Sequence, residues 1–184
     1  HVSSCRSPMQ MFASIIKEDG KTSSRKQFHV AVMPCTAKKF EAARDEFCVD
    51  GAPNVDAVIT TQELIRMIKE SGVVFEELEM DAVDMPFGTV SGAGVIFGVS
   101  GGVTEAVLRR LTSDKSRGGL YTAAFSGVRG MEGVKEARVP YMGRELAIAI
   151  VSGLNNAAAL IQRIRSGEAH YDFVEVMACP GGCV

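Results

Sequence analysis

Val30–Glu41 reads VAVMPCTAKKFE: a short apolar β-type run halted at Pro34, then Cys35, two lysines and a glutamate. With Phe28–Met33 as a strand, Cys35 and Lys38 fall just beyond its carboxyl end, where α/β proteins place ligand chemistry. A thiolate three residues before an ammonium suits a soft, anionic metal centre, because sulfur binds metal and the cation offsets charge. A structural cysteine beside a solvated lysine face explains the same letters. The stretch Phe173–Val184, FVEVMACPGGCV, repeats the arrangement of an apolar run followed by cysteines. Pro180-Gly181-Gly182 predicts a tight turn with positive φ at the glycines. That turn would bring Cys179 and Cys183 together and aim backbone amides at an anion as a nest. A Cys179–Cys183 disulfide and a pair of unrelated turn cysteines are the competing readings.

MPCTAKKFE and EVMACPGGCV resemble the second and third signature motifs of the iron-only (FeFe) hydrogenases. The resemblance runs through Ser7-Pro8, AVITTQEL at 57–64 and SGAGVIFG at 91–98, and covers essentially all 184 residues. It implies an α/β fold of two lobes, each a small parallel sheet flanked by helices, with an iron–sulfur cofactor in the cleft. The implied cofactor is a 4Fe-4S cubane joined to a di-iron subcluster with CO, cyanide and dithiolate ligands. Carried over motif by motif, Cys35 and Cys179 are cubane ligands, and Cys183 is the ligand that also bridges to the di-iron unit. Lys38 is a hydrogen-bond donor to cyanide, Met33, Pro34, Phe97 and Met177 line the pocket, and Ser3 stands on the proton path.

The activity implied is reversible reduction of protons to dihydrogen, with ferredoxin or a similar carrier supplying electrons in an anaerobic setting, cytoplasmic first, with periplasm or organelle as the alternatives. Maturation proteins would deliver the di-iron unit. Two relatives of the fold offer alternatives: a sensory hydrogenase, and a non-enzymatic iron–sulfur assembly protein lacking the di-iron unit. The family's first motif, with its remaining cubane cysteine, is expected before a segment like Val2–Gln10, and a glycine-rich continuation is expected after Val184. Residues 1–184 therefore read as a partial catalytic domain, truncated at both ends and inactive alone. Met9 departs from the glutamine that many relatives carry there.

Composition narrows the field independently. Twenty basic and 22 acidic residues give a net charge of −2 with no basic stripe, which disfavours nucleic acid. No apolar run approaches the length of a membrane span. Five cysteines, an odd number in a chain of this size, disfavour a disulfide framework, and their spacing fits no zinc ribbon.

Taken in order, Pro8 opens a helix with an apolar stripe of Met9, Met11, Phe12, Ile15 and Ile16, ending near Lys17. Asp19–Lys26 reads as a loop, Lys38–Phe47 as a helix in which Glu41 pairs with Lys38 or Lys39, and Cys48 as a loop residue without function. Ser3 equally suits a helix-leading serine satisfied by backbone, and Cys5 is structural. Asp56–Ile59 is a strand, and Thr60 or Thr61 caps the helix that Ser71-Gly72 ends. The acidic run in 73–88 is a solvated face. The glycine-dense 89–102 lacks a P-loop ending or a dinucleotide fingerprint, and predicts close backbone approach to a buried cofactor. Helix 103–111 turns Val103, Ala106, Val107 and Leu111 to one side. In 112–145, residues 128–130 and 134–138 are strands or loops. Leu146–Val151 is a buried strand, and Asn155 caps helix Ala157–Arg165, with Ala158, Leu160, Ile161 and Ile164 inward. His170 is a surface histidine, and Phe173–Met177 is the last strand. Strands alternating with helices give a parallel α/β class.

Overall fold

The computed structural model describes residues 3–20, 26–84, 87–88, 91–111, 126–128 and 131–183. The expected loop residues 21–25 and most of the stretch 112–130 lie outside them, as do residues 89 and 90 of the glycine-dense segment. The chain divides into two compact units, His1–Ala82 and Val83–Val184. Among the described residues no helix is long and apolar enough to cross a membrane.

The first unit is built on two parallel strands, β1 (Val30–Met33) and β4 (Ala57–Thr60), in register Val30↔Ala57 through Met33↔Thr60. Helix α1 (Pro8–Gly20) packs on them through Met9 and Ala13, which cluster with Val55 before β4 and with Ala31, Met33, Ala42 and Val58. Of the expected stripe Met9 does face inward, but the rest of the buried face of α1 is Gln10 and Ala13. Met11, Phe12 and Ile15 are 44–50% exposed. An alanine at the crossing lets the helix approach the small sheet closely, and bulk at that position would hold it off.

Helix α2 (Ala37–Ala42) stops earlier than composition suggests, and one 3₁₀ turn, Asp45–Phe47, follows. Cys48 is not in a loop: β2 (Cys48–Val49) pairs antiparallel with β3 (Ala52–Pro53). Asp50 and Gly51 make that turn, both at positive φ. Thr60 closes a capping box with Glu63 at the start of α3 (Thr61–Glu70). Of the acidic run, residues 73–84 are exposed as expected.

The second unit carries a four-stranded sheet in the order β5 (Ser126–Val128), β6 (Met131–Tyr141), β7 (Arg144–Ser152), β8 (Phe173–Met177). The α/β class holds, and this sheet is mixed: β5–β6 and β6–β7 are antiparallel, and β7–β8 is parallel. The antiparallel pair β6–β7 turns at Met142-Gly143, both at positive φ. Strand β7 is buried on both faces, as a central strand covered on each side requires.

Alternation sends Leu146 and Ile148 to one face with Val139, against Leu108 of α5 (Gly102–Leu111). Ala149 and Val151 go to the other with Val134, against Ala157 and Leu160 of α6 (Leu154–Arg165). Two sequence expectations fail on these helices. Gly153, at φ 89°, is the residue before α6, with no side-chain cap. The expected cap Asn155 plays no such part, and Asn156 instead donates to the carbonyls of Glu132 (2.6 Å) and Ser152 (2.8 Å). On α6 the buried positions are Ala157 and Leu160, whereas Ile161 is 46% exposed.

Ile148 and Leu160 are each 1% exposed. Truncating either to alanine should cost about 2–5 kcal/mol, and Ile161→Ala should stay within about 0.5 kcal/mol. Denaturant unfolding of the chain measures both.

Candidate metal centre

Each unit delivers cysteine from the end of a parallel strand. In the first, β1 ends at Met33 and the chain passes Pro34 to Cys35, which is half-buried, one residue before the helix-leading Thr36. In the second, β8 ends at Met177 and the chain passes Ala178 to Cys179. Met33 and Met177 are half-buried and Pro34 is exposed. All five cysteines are free, so the Cys179–Cys183 disulfide reading fails, and Cys5, Cys48, Cys179 and Cys183 are exposed. Among the described residues, no group of three His, Cys, Asp or Glu side chains is arranged to hold a metal ion.

The lysine pair is sorted by its partners. Lys38 Nζ donates to Glu41 Oε2 at 2.5 Å, one helical turn on. The other oxygen of Glu41 accepts from the Ser7 hydroxyl. Lys39 Nζ instead reaches Glu63 Oε1 at 2.6 Å. That bond, together with the Thr60 amide donating to the same carboxylate at 2.7 Å, holds Glu63 well below the usual carboxylate range, at about 2. Lys39 is thus committed to the start of α3, and Lys38 stands beside the cysteine loop. Ser3 Oγ accepts from the Cys5 amide at 3.1 Å, an exposed local turn that matches the backbone-satisfied reading of this serine.

The Cys179–Cys183 loop is fixed by backbone. Gly181 and Gly182 both have positive φ, 80° and 108°. Gly182 forms an antiparallel bridge with Val99. The Ser100 amide donates to the Gly181 carbonyl (3.1 Å), and the Cys183 amide donates to the Gly98 carbonyl (2.6 Å). A Cβ on Gly182 would overlap the Gly98 carbonyl oxygen, so only glycine passes here. The close approach made by the glycine-dense segment is thus main chain to main chain, where approach to a buried cofactor was expected, and half-buried Phe97, at the end of α4 (Gly92–Ile96), stands one residue from Gly98.

The nest expectation needs correcting. The Gly182 amide donates to Cys179 O (3.2 Å) and the Cys183 amide to Gly98 O, so both are spent inside the fold. Beside the loop lies a cavity of about 530 Å³ lined by Ile96, Val99, Ser100, Ser152, Ile150 and Gly181, among others. The donor set suits an iron–sulfur group: reduced thiols on short loops, one of them held in place by main-chain bonds.

Sequence reasoning missed Glu175. Buried at 5% exposure in β8, it accepts from the amides of Gly101 (2.6 Å) and Thr104 (2.7 Å) and from the Thr104 hydroxyl (2.6 Å). Consequently α5 turns Thr104, Glu105, Ala106 and Leu108 inward, not Val103, Val107 and Leu111. A charged residue inside an apolar strand was the available signal, since such groups stay buried only when hydrogen-bonded.

Residues 1–184 match the family described as iron-only hydrogenase large subunit, C-terminal domain. The chain is 44% identical over 186 residues to the NADP-reducing hydrogenase subunit HndD of Solidesulfovibrio fructosivorans, covering 99% of this chain and 32% of that protein. It is 41% identical to iron hydrogenase 1 of Clostridium pasteurianum, covering all of this chain and 33% of that one. Protein NAR1 of Arabidopsis thaliana is 33% identical over 205 residues, covering all of this chain and 42% of that one. A solved structure of a variant of the FeFe-hydrogenase HydA1 from Chlamydomonas reinhardtii superposes with a TM-score of 0.77 at 39% identity, over 99% of this chain and 54% of that chain. The chain belongs to this family, the C-terminal domains of iron-only hydrogenase large subunits. It spans about a third of the two hydrogenase sequences and about half of the solved chain.

Glu63 is depressed in the folded chain, so its contribution is complete above the ordinary carboxylate value of 4.5 and is lost as pH falls toward about 2. NMR titration of the Glu63 side chain should give a midpoint near 2, and Lys39→Ala should raise it while Lys38→Ala leaves it in place.

Proposed function

We propose that this chain is the cofactor-bearing part of a hydrogenase that reversibly reduces protons to dihydrogen, with electrons from ferredoxin or a similar carrier. The observation that carries the reading is the matched strand-to-loop geometry: Met33-Pro34-Cys35 after β1 and Met177-Ala178-Cys179 after β8, both on parallel-paired strands. Ligand chemistry gathers at such strand ends.

Cys35, Cys179 and Cys183 would ligate a 4Fe-4S cubane, with Cys183 also meeting a di-iron subcluster bearing CO, cyanide and dithiolate. When bound, that group supplies an open iron site for cleaving or forming dihydrogen. The chain's own residues hold and screen it. The Lys38 ammonium has three N–H donors; Glu41 takes one and anchors the side chain, leaving donors for an anionic ligand such as cyanide. Met33, Pro34, Phe97 and Met177 would wall the pocket and exclude water, and Ser3 would stand on the proton route. A fourth cubane ligand would come from a residue other than these three cysteines, and maturation proteins would deliver the di-iron unit.

An assembly-protein reading is favoured by one observation, the 32% identity to a probable cytosolic Fe-S cluster assembly factor of Anopheles gambiae. The hydrogenase relatives stand higher, at 41–44%, and the Lys38 ammonium, three residues past Cys35, suits an anionic ligand there.

Infrared spectroscopy separates the two after anaerobic reconstitution with iron, sulfide and a synthetic di-iron complex in a chain extended by the flanking hydrogenase segments. Bands of iron-bound CO and cyanide are expected. A cubane spin-resonance signal without those bands would overturn the hydrogenase reading in favour of an assembly protein. Cys183→Ser should lose the di-iron bands, whereas Cys5→Ser and Cys48→Ser keep them. Lys38→Ala should weaken the di-iron bands more than the cubane signal, and Lys39→Ala neither.

A further inference from the structure

Strand β8 sends Phe173, Glu175 and Met177 to the face covered by α5, because side chains alternate along a strand. Phe173 packs in the cluster that contains Leu108 of α5. Two residues on, Glu175 reaches the start of the same helix and accepts from Gly101 N, Thr104 N and Thr104 Oγ1. Two residues further is Met177, and two beyond that is Cys179. The helix start joined to Glu175 continues backward into Gly98–Ser100, which is bonded to Gly181–Cys183. One seven-residue segment, 98–104, therefore grips the β8 chain at two points, before and after Cys179.

We infer that Glu175 is a positioning residue for the Cys179–Cys183 loop: by anchoring Gly101 and Thr104 it fixes the Gly98–Ser100 backbone, and that backbone fixes Cys183. The inference rests on the hydrogenase reading only for its purpose; the coupling itself needs no metal. Several features make the anchor effective. The carboxylate is buried, so its bonds are not exchanged with water, and hydrogen bonds to a charged acceptor exceed neutral ones in strength. It satisfies amides at the helix start that have no partner within the helix. Gly101, at φ 90°, leaves α5 by a bend that a side chain would resist, since a Cβ there would press on Ile150. Gly102 has no room for a Cβ against the Ile96 carbonyl. The path from Glu175 to Cys183 is thus main chain under tight steric limits, with little freedom to absorb a shift.

Glutamine at 175 keeps the size and replaces one accepting oxygen with an N–H donor facing Thr104, so the double anchor becomes single. Thr104→Val removes only the hydroxyl bond, and Thr104→Ser restores it.

Amide hydrogen exchange by NMR on the metal-free chain tests this. In Glu175→Gln the Ser100 and Cys183 amides, which do not touch residue 175, should exchange at least tenfold faster than in the parent. The sheet amides of Val139 and Ile148 should keep their protection. Thr104→Val should give a smaller acceleration at the same two amides, and Thr104→Ser should return them to the parent rate. Cys183 alkylation should become faster in the same order. Parent-like protection of Ser100 and Cys183 in both Glu175→Gln and Thr104→Val would overturn the proposal, as would acceleration shared equally by the sheet. If Glu175→Gln does not fold, the Thr104 pair decides the question alone. Missing CO and cyanide bands would defeat the hydrogenase reading and leave this result standing.

Discussion

The second unit depends on one close main-chain approach, that of Gly98–Ser100 to Gly181–Cys183. Two amide-to-carbonyl bonds and a β-bridge hold a loop that has no side chain of its own to bury at Gly181 or Gly182. The approach is possible because Gly182 lacks a Cβ and accepts φ 108°. The Gly182 and Cys183 amides are then consumed by carbonyls, while the loop's two thiols stay free. A loop stitched in this way presents Cys183 from a defined backbone, so less of its conformational freedom remains to be lost when a ligand binds.

In the first unit the comparable constraint is electrostatic. Two adjacent lysines of equal chemistry are separated by the carboxylates within reach. Lys39 leaves toward Glu63, whose position is set by the capping box of α3, and Lys38 stays with Glu41 on its own helix. Neither pair contributes much to stability, because partly exposed ion pairs are worth about 0–1 kcal/mol. Their effect is on direction: they decide which ammonium stands beside Cys35.

Much of the architecture was legible in the letters. Strand Phe173–Met177 lies where its apolar run put it, β7 contains Leu146–Val151, and the Thr60 cap with Glu63 in the first turn follows from local hydrogen-bond chemistry. The cysteine loops were legible too, because a strand stopped by a turn residue before cysteine is a local pattern. Helix faces were harder. On α1 the periodicity pointed to Met9, Met11, Phe12, Ile15 and Ile16, and on α5 to Val103, Ala106, Val107 and Leu111; of these only Met9 and Ala106 are buried. Periodicity ranks faces by apolar content. The face that packs is chosen by shape at the crossing and by partners far away in sequence, here Ala13 on the small sheet and Thr104 on Glu175.

By itself the sequence determined the α/β class, the positions of most strands and helices, the motif-level kinship with iron-only hydrogenases and the cysteines worth attention. These are local properties, written in short runs of apolar residues, turn residues and caps. Only the tertiary structure decided that the second sheet is mixed, that the loop amides serve the fold, that Lys38 and Lys39 part company, and that Glu175 anchors α5. Lys39 with Glu63, Glu175 with Gly101 and Cys183 with Gly98 are joined across 24 to 85 positions of chain. Such pairings carry no local signature, because their free energy is realised only after the chain has closed the intervening loop and excluded water from the contact.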